Sequence, residues 1–405
     1  TYWSPCFSRG SVSPEEPMNF FSQGLFFAVL RERVSKEKQE ICTVNKVKNF
    51  FKNNWMYIGA GIVIGVVAFV LTLMGNPANM GFCIACFLRD TAGALKLHSA
   101  AVVQYARPEI IGIVLGAFAI SLLRKDFKPT GGSAPVTRFL LGMIVMIGAL
   151  VFLGCPLRMV LRIGGGDLNA IIALLGFIGG IAVGVVFLNL GFTLRRSYDL
   201  PKLEAAVAPA SSAFLLIILI GVPSLLVFSE TGPASMRAPI YAALIGGLIV
   251  GAIGQRTRAC FVGGIRDGMM FRQFHMVYMF VAVILTTIIC NAFAGKLHFS
   301  FNDQPVAHSD FLWNFLGMAV VGLGSVFLGG CPFRQLVLSG SGNSDSTIAV
   351  LGMIAGAALA HNWGLASAAA SATAEGGATD AGMIAIGVCI VLLLVIGFCN
   401  RKKVS

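Results

Sequence analysis

The residues best equipped for chemistry are four cysteines that occur as two matched pairs. Cys155 lies in Phe152-Leu153-Gly154-Cys155-Pro156-Leu157-Arg158, and the pattern returns as Phe327-Leu328-Gly329-Gly330-Cys331-Pro332-Phe333-Arg334. Cys83 and Cys260 form the other pair, each followed after five residues by an Arg-Asp dipeptide, Arg89-Asp90 and Arg266-Asp267. Cys83 precedes Cys155 by 72 residues and Cys260 precedes Cys331 by 71, so the motifs belong to one long unit present twice. Thiols are soft, polarizable weak donors and guanidiniums are permanent cations. Together they suit a soft anion. Proline directly after Cys155 and Cys331 fits the first position of a new helix, whose free N–H groups and dipole also favour negative charge.

These residues sit in a chain built for lipid. It is 56% apolar and 12% charged with a mean hydropathy of +0.82, too few polar groups to cover a soluble surface of this size. Several apolar runs reach the ~20 residues needed to cross a hydrocarbon core of ~30 Å. The sequence predicts an all-α integral membrane protein with about ten spans, near 55 to 75, 107 to 124, 137 to 153, 168 to 190, 211 to 228, 237 to 254, 274 to 294, 311 to 329, 346 to 362 and 381 to 399. The net charge of +12 comes from basic residues at the ends of these runs, which argues for membrane orientation and against a nucleic-acid partner.

Lys46, Lys48 and Lys52 precede the first span, Arg124, Lys125, Lys128 and Arg138 lie between the second and third, and Arg195, Arg196 and Lys202 follow the fourth. Arg401, Lys402 and Lys403 lie at the end of the sequence, while the stretch from Ala366 to Asp380 has no Lys or Arg. All the basic stretches fall on one side if both termini are cytoplasmic. The span at 211 to 228 then reverses the phase of the chain, so the two units are inverted repeats, a common architecture of transporters with solute sites where broken helices meet. The expected organisation is a poorly ordered or interfacial leader at 1–50, repeat one at 51–200, a linker with the reversing span at 201–236, repeat two at 237–365, and an external loop and last span with a basic tail at 366–405.

The cysteine segments at 81 to 98 and 255 to 271 are too polar or too short to cross alone. They fit re-entrant loops or half-helices, four in all with those that begin at Cys155 and Cys331, and such backbone is tolerated only where protein or a watery cavity surrounds it. Cys83 and Cys155 would enter from outside, and Cys260 and Cys331 from the cytoplasm. Arg89, Arg158, Arg266 and Arg334 are costly in a bilayer and would either attract an anion or be paired structurally, with Asp90 and Asp267 as partners. Disulfides are the rival explanation for the repeated cysteines, whereas Cys290, Cys389 and Cys399 lie in apolar runs and read as packing residues.

Cys83-Ile84-Ala85-Cys86 also has redox or metal spacing, which makes Cys86 a secondary thiol, yet Gly263 stands at its place in the second repeat and no matching pair completes a metal site. His275 and His361, at span edges, read as packing groups. Gly164-Gly165-Gly166 and Gly340-Ser341-Gly342 read as turns rather than nucleotide loops. The reading therefore includes no cofactor, no metal, no catalytic residue and no ATP motif.

Through Gly81-Phe82-Cys83-Ile84-Ala85-Cys86-Phe87, Phe152 to Arg158, Arg256 to Asp267 and Phe327 to Arg334, the chain resembles the YeeE/YedE family of sulfur-compound transporters, most closely its YedE-type members assigned to selenium. The resemblance covers roughly residues 50 to 400. It implies a multi-pass protein of the bacterial inner membrane with intramembrane cysteine loops around a central conduit, solute passed along cysteine thiols, and a cytoplasmic TusA-like sulfur or selenium carrier as partner. The thiosulfate branch uses three such cysteines, and four are present here. The expected function is a conduit for a small sulfur- or selenium-containing anion, with Cys83, Cys155, Cys260 and Cys331 along its path. The alternatives are a membrane sulfur or selenium transferase that carries a persulfide on one cysteine, and a soft-metal carrier.

Overall fold

The computed structural model describes residues 52–371 and 376–401, and the expected leader at residues 1–50 lies outside them. Its helices are α1 (Lys52–Leu73), α2 (Ile84–Ala94), α3 (Pro108–Leu123), α4 (Pro135–Val151), α5 (Pro156–Gly165), α6 (Asn169–Asn189), α7 (Lys202–Ala205), α8 (Val207–Gly221), α9 (Ile240–Thr257), α10 (Phe261–Phe271), α11 (His275–Phe293), α12 (Phe311–Leu328), α13 (Pro332–Gly340), α14 (Ser344–Asn362) and α15 (Asp380–Cys399). Proline opens α3, α4, α5 and α13, where its missing N–H costs nothing. Asn343 and Thr379 cap α14 and α15 with their side-chain oxygens. A two-residue antiparallel pairing joins Thr130–Gly131 to Tyr198–Asp199.

Among the described residues, eight helical segments are long and apolar enough to cross a membrane, with α4–α5, α9–α10 and α12–α13 each forming one segment; α3 and α8 are apolar but shorter. With α3 and α8 counted, ten apolar segments lie at the ten spans read from the sequence. The fifth, expected at 211 to 228, ends instead at Gly221, because Pro223 removes a donor and disfavours helical backbone at Val222, and a short 3-10 turn follows.

Hydrogen bonds between loops sort those loops into two sets. In one, Thr130 pairs with Asp199 and bridges Asn343, Lys128 N–H donates to Ser341 O, Arg138 reaches Leu328 O, and Thr193 N–H donates to Asn400 O. In the other, Val227 N–H donates to Ala94 O, Ser229 N–H to Gln104 O, Ala238 N–H to Asn76 Oδ1, Asp167 bridges Ser300, and Ser367 N–H donates to Leu150 O. From α3 onward the chain alternates between the two sets. The first set holds Arg124, Lys125, Lys128, Arg195, Arg196, Arg256, Arg258 and Arg272, and is called the basic face below.

The repeats interlock rather than stand side by side: α3 packs on α9, α4 on α14 and α6 on α12. Small residues allow this. Gly112 and Gly116 of α3 meet the Leu244 and Leu248 carbonyls of α9, while Gly247 and Gly251 of α9 meet the Glu109 and Ile113 carbonyls of α3. A side chain at any of these would force the backbones apart, the constraint expected where lipid supplies no hydrophobic drive and close van der Waals contact must hold helices together. The buried core therefore runs across both repeats.

Candidate functional site

Each of the four repeated cysteines is the N-cap residue of a half-helix. Cys83 caps α2 and Cys260 caps α10 with nearly the same backbone (φ −145°, ψ 104° and φ −152°, ψ 116°), and their Sγ atoms accept the N–H of Cys86 and of Gly263, both at 3.2 Å. Cys155 and Cys331 cap α5 and α13 in extended conformation ahead of the helix-opening prolines. At Cys83 and Cys260 the cysteine takes the place usually held by Ser, Asp or Asn, because its sulfur accepts a free first-turn N–H; Cys155 and Cys331 hold the N-cap position without a side-chain cap bond. The sequence signal for this was the proline after Cys155 and Cys331. For Cys83 and Cys260 no local residue marked it.

The thiols come together in two pairs, one per repeat. Cys155 Sγ accepts the Ile84 N–H at 3.2 Å, which places it beside Cys83, and Cys260 and Cys331 are likewise neighbours. All four are free thiols and buried, each residue at most 6% accessible. Helices α2 and α5 run from their cysteines toward the face opposite the basic one, and α10 and α13 toward the basic face. The positive ends of four half-helix dipoles thus lie in the interior.

The depth of the first pair is set by the loop before it. Gly81 lies against the Ala68 carbonyl, with no room for a Cβ. Ala68 is five residues inside the end of α1, about 8 Å along the axis at ~1.5 Å per residue. Asn76 fixes this loop by donating to Gly81 O (3.2 Å) and Glu109 Oε1 (2.8 Å) while accepting from the Ala238 N–H. In the second repeat Phe261 stacks on Phe280 of α11 at 4.3 Å, likewise five residues inside that helix. After each Cys-Pro helix the chain turns at a glycine of positive φ, Gly166 (95°) and Gly342 (98°), as the matching sequence positions suggested.

The arginines differ between repeats. Arg89 bonds Asp90 Oδ1 at 2.9 and 2.7 Å, and Arg107 bonds Asp90 Oδ2 at 2.8 Å, all of it buried. Arg107 also donates to the Pro233 and Met236 carbonyls and lies over the Phe87 ring. Arg266 and Asp267 repeat only the dipeptide, at 2.9 and 2.8 Å and about a quarter exposed. Arg158 is sealed by acceptors: the carbonyls of Asn79, Leu153, Pro305 and Val306, and the sulfur of Cys86. Arg334, its counterpart, makes no hydrogen bond or ion pair among the described residues, and its Nη1 is buried without a partner. Cys86 donates to Leu153 O as well, so it ties the first cysteine motif of its repeat to the second.

Sequence reading missed Arg107, Asn76 and the buried pair Arg162–Asp167 at 2.6 Å, in which Arg162 also lies over Phe152 and donates to its carbonyl. Arg107 stands before a helix-opening proline and had no repeat partner to draw attention to it. Also missed was a matched pair of loop histidines. His98 and His308 each donate from Nε2 to a carbonyl, Arg89 O at 3.0 Å and Val151 O at 2.8 Å. Each accepts at Nδ1 from a backbone N–H two residues on, both at 3.3 Å. Both ring nitrogens are committed and the neutral Nε2–H tautomer is required. Burial pushes both rings below the usual histidine range. His275 stacks on Tyr57, and His361 packs tilted against His98 with ring centroids 4.8 Å apart, as packing groups do. No group of three or more His, Cys, Asp or Glu that could hold a metal is present among the described residues.

Eight apolar segments of membrane-crossing length among the described residues, interlocked inverted halves and half-helices that present their N-termini to the interior define a multi-pass membrane protein of the inverted-repeat transporter class. The model of the sulphur transport family matches residues 17–157 and 256–402, one region for each repeat and together more than half of the chain. The chain belongs to that family and is a membrane transporter of sulfur compounds. No curated protein matches it.

Proposed function

We propose that the protein carries a small sulfur- or selenium-containing anion, of the thiosulfate or reduced-selenium kind, across the bacterial inner membrane. The basic face and both termini are then cytoplasmic. The observation that carries the reading is that all four repeated cysteines cap half-helices whose N-termini lie in the interior. An anion at such a position meets backbone N–H groups, the positive end of a helix dipole and a weak S–H donor together, which replace part of its hydration shell. Cys83 and Cys155 would receive the solute from outside and Cys260 and Cys331 would pass it toward the cytoplasm, where a TusA-like carrier would take it.

Flux into proteoliposomes tests this with thiosulfate, selenite and sulfate supplied in turn. Uptake of a sulfur or selenium anion that falls at least about tenfold in Cys83→Ala and Cys260→Ala, with insertion unchanged, is expected; loss of one hydrogen-bonded anion contact of 1.5 to 3 kcal/mol corresponds to about that factor. A radiolabel retained covalently on one of these cysteines through denaturation would indicate the transferase instead. Flux of soft metal ions with no anion flux would sink the proposal.

A further inference from the structure

On the basic face a cavity of about 300 Å³ opens beside the second cysteine pair, and five cations line it: Arg124, Lys128, Arg256, Arg258 and Arg334. One carboxylate is present, Asp126, and it already faces Arg124 at 3.5 Å. Membrane orientation explains basic residues on this side but not their convergence on a hollow. Two features point to an occupant. Arg334 lines this region and carries a buried Nη1 with no hydrogen-bond partner among the described residues, whereas the matched Arg158 is saturated. Arg258 is held at φ 54°, a left-handed backbone that costs a non-glycine residue of order 1 kcal/mol or more. At the corresponding position, two residues before the capping cysteine, the first repeat has Gly81. A long cationic side chain is thus kept where glycine would fit the backbone better.

Gln255 also lines the cavity, with its Oε1 buried and unpartnered. The amide's oxygen and nitrogen exchange places by a flip that the occupant's hydrogen bonds would decide, and with Nε2 inward it adds a donor. Donors of this density and sign recognise a tetrahedral oxyanion, either a free sulfate- or phosphate-type ion or the phosphate of an anionic lipid headgroup.

We infer that this cavity is a binding site for a tetrahedral oxyanion, held by Arg258 and Arg334 beside the thiols of Cys260 and Cys331. The inference rests on the transport reading only for its role, as the place where the solute pauses on the basic face. The site itself is tested without flux.

Radiolabelled sulfate, thiosulfate and inorganic phosphate are titrated onto the full chain in nanodiscs of phosphatidylcholine, and again in equimolar phosphatidylcholine and phosphatidylglycerol. Saturable binding is expected that weakens with salt. It should fall about tenfold or more in Arg258→Gln and in Arg334→Gln, the loss of one charged hydrogen-bond donor. Arg334→Lys keeps most of it and guards against misfolding of the Gln variant. Arg272→Gln removes another left-handed arginine, one that does not line the cavity, and leaves binding unchanged. Competition by phosphatidylglycerol that depends on Arg258 and Arg334 assigns the site to lipid headgroups, and its absence assigns it to the soluble ion. Binding that survives Cys260→Ala while flux is lost separates this site from the thiol pathway. No saturable binding of any of these ions together with no arginine-dependent retention of phosphatidylglycerol, or binding indifferent to both arginines, overturns the inference.

Discussion

In the half that holds Cys83 and Cys155, Asp90 neutralises two buried guanidiniums and Arg158 is closed in by four carbonyls and a sulfur. In the half that holds Cys260 and Cys331, Asp267 neutralises one guanidinium that is about a quarter exposed, and Arg334 lines a basic cavity. The sequence motifs are nearly the same; what surrounds them is not. A buried cation with every donor used is a structural part, and one with donors to spare is available to a ligand. Duplication therefore supplied two copies of a scaffold, of which the first was closed up with extra partners such as Arg107 and Asn76 and the second was left open.

The largest expected contrast is between the two aspartates. Asp90→Asn leaves Arg89 and Arg107 buried without their counter-charge and should cost about 3 to 5 kcal/mol, whereas Asp267→Asn at a partly exposed pair should cost roughly 1 kcal/mol or less. Thermal unfolding in detergent micelles measures both. Similar losses would mean that the second pair is as structural as the first.

Next is the arginine pair. Arg158→Gln should destabilise by about 2 to 3 kcal/mol, since several buried carbonyls lose a charged donor, while Arg334→Gln should melt within about 0.5 kcal/mol of the parent. A destabilised Arg334→Gln protein would show that its guanidinium has a structural partner after all.

The histidine loops, one in each repeat, give a smaller, pH-dependent effect. In the unfolded chain His98 and His308 take up a proton near pH 6.5, whereas in the folded protein burial lowers both pKa values. Their contribution is fully present above about pH 6.5 and is lost as pH falls through the lowered folded pKa, because the unfolded state binds more protons. Melting temperature should therefore drop on acidification from pH 7 to pH 5, and drop less in the His98→Gln/His308→Gln variant. An identical acid slope in both proteins would remove the histidines from this account.

The smallest effects should come from cysteines outside the capping positions. Cys86→Gly copies the second repeat, where the Gly263 N–H makes the same bond to the capping sulfur, and it should retain transport at a cost of about 1 kcal/mol for glycine in a helix. Cys389→Ala, in the buried stripe of α15, should leave flux unchanged. Loss of transport in either would widen the thiol pathway beyond the four repeated residues.

The sequence by itself determined the duplication, the ten crossings, the alternation of faces and the starts of α5 and α13, because each depends on local rules: apolar run length, basic residues at run ends, and proline at a helix start. It also made the Arg-Asp pairs legible, since those partners are adjacent. Which thiols meet, which arginine is sealed and which faces a cavity were decided only by tertiary structure. Arg158 finds three of its acceptors, the carbonyls of Asn79, Pro305 and Val306, 79 to 148 residues away in the chain, and Arg107 reaches carbonyls more than 120 residues away. Asp345 is bonded from Ser133 and Ser197 across the repeat boundary. Matching motifs therefore specify where each cysteine caps its helix, while the unequal environments of the two copies arise from segments that are not repeated and that meet them only when the inverted halves interlock.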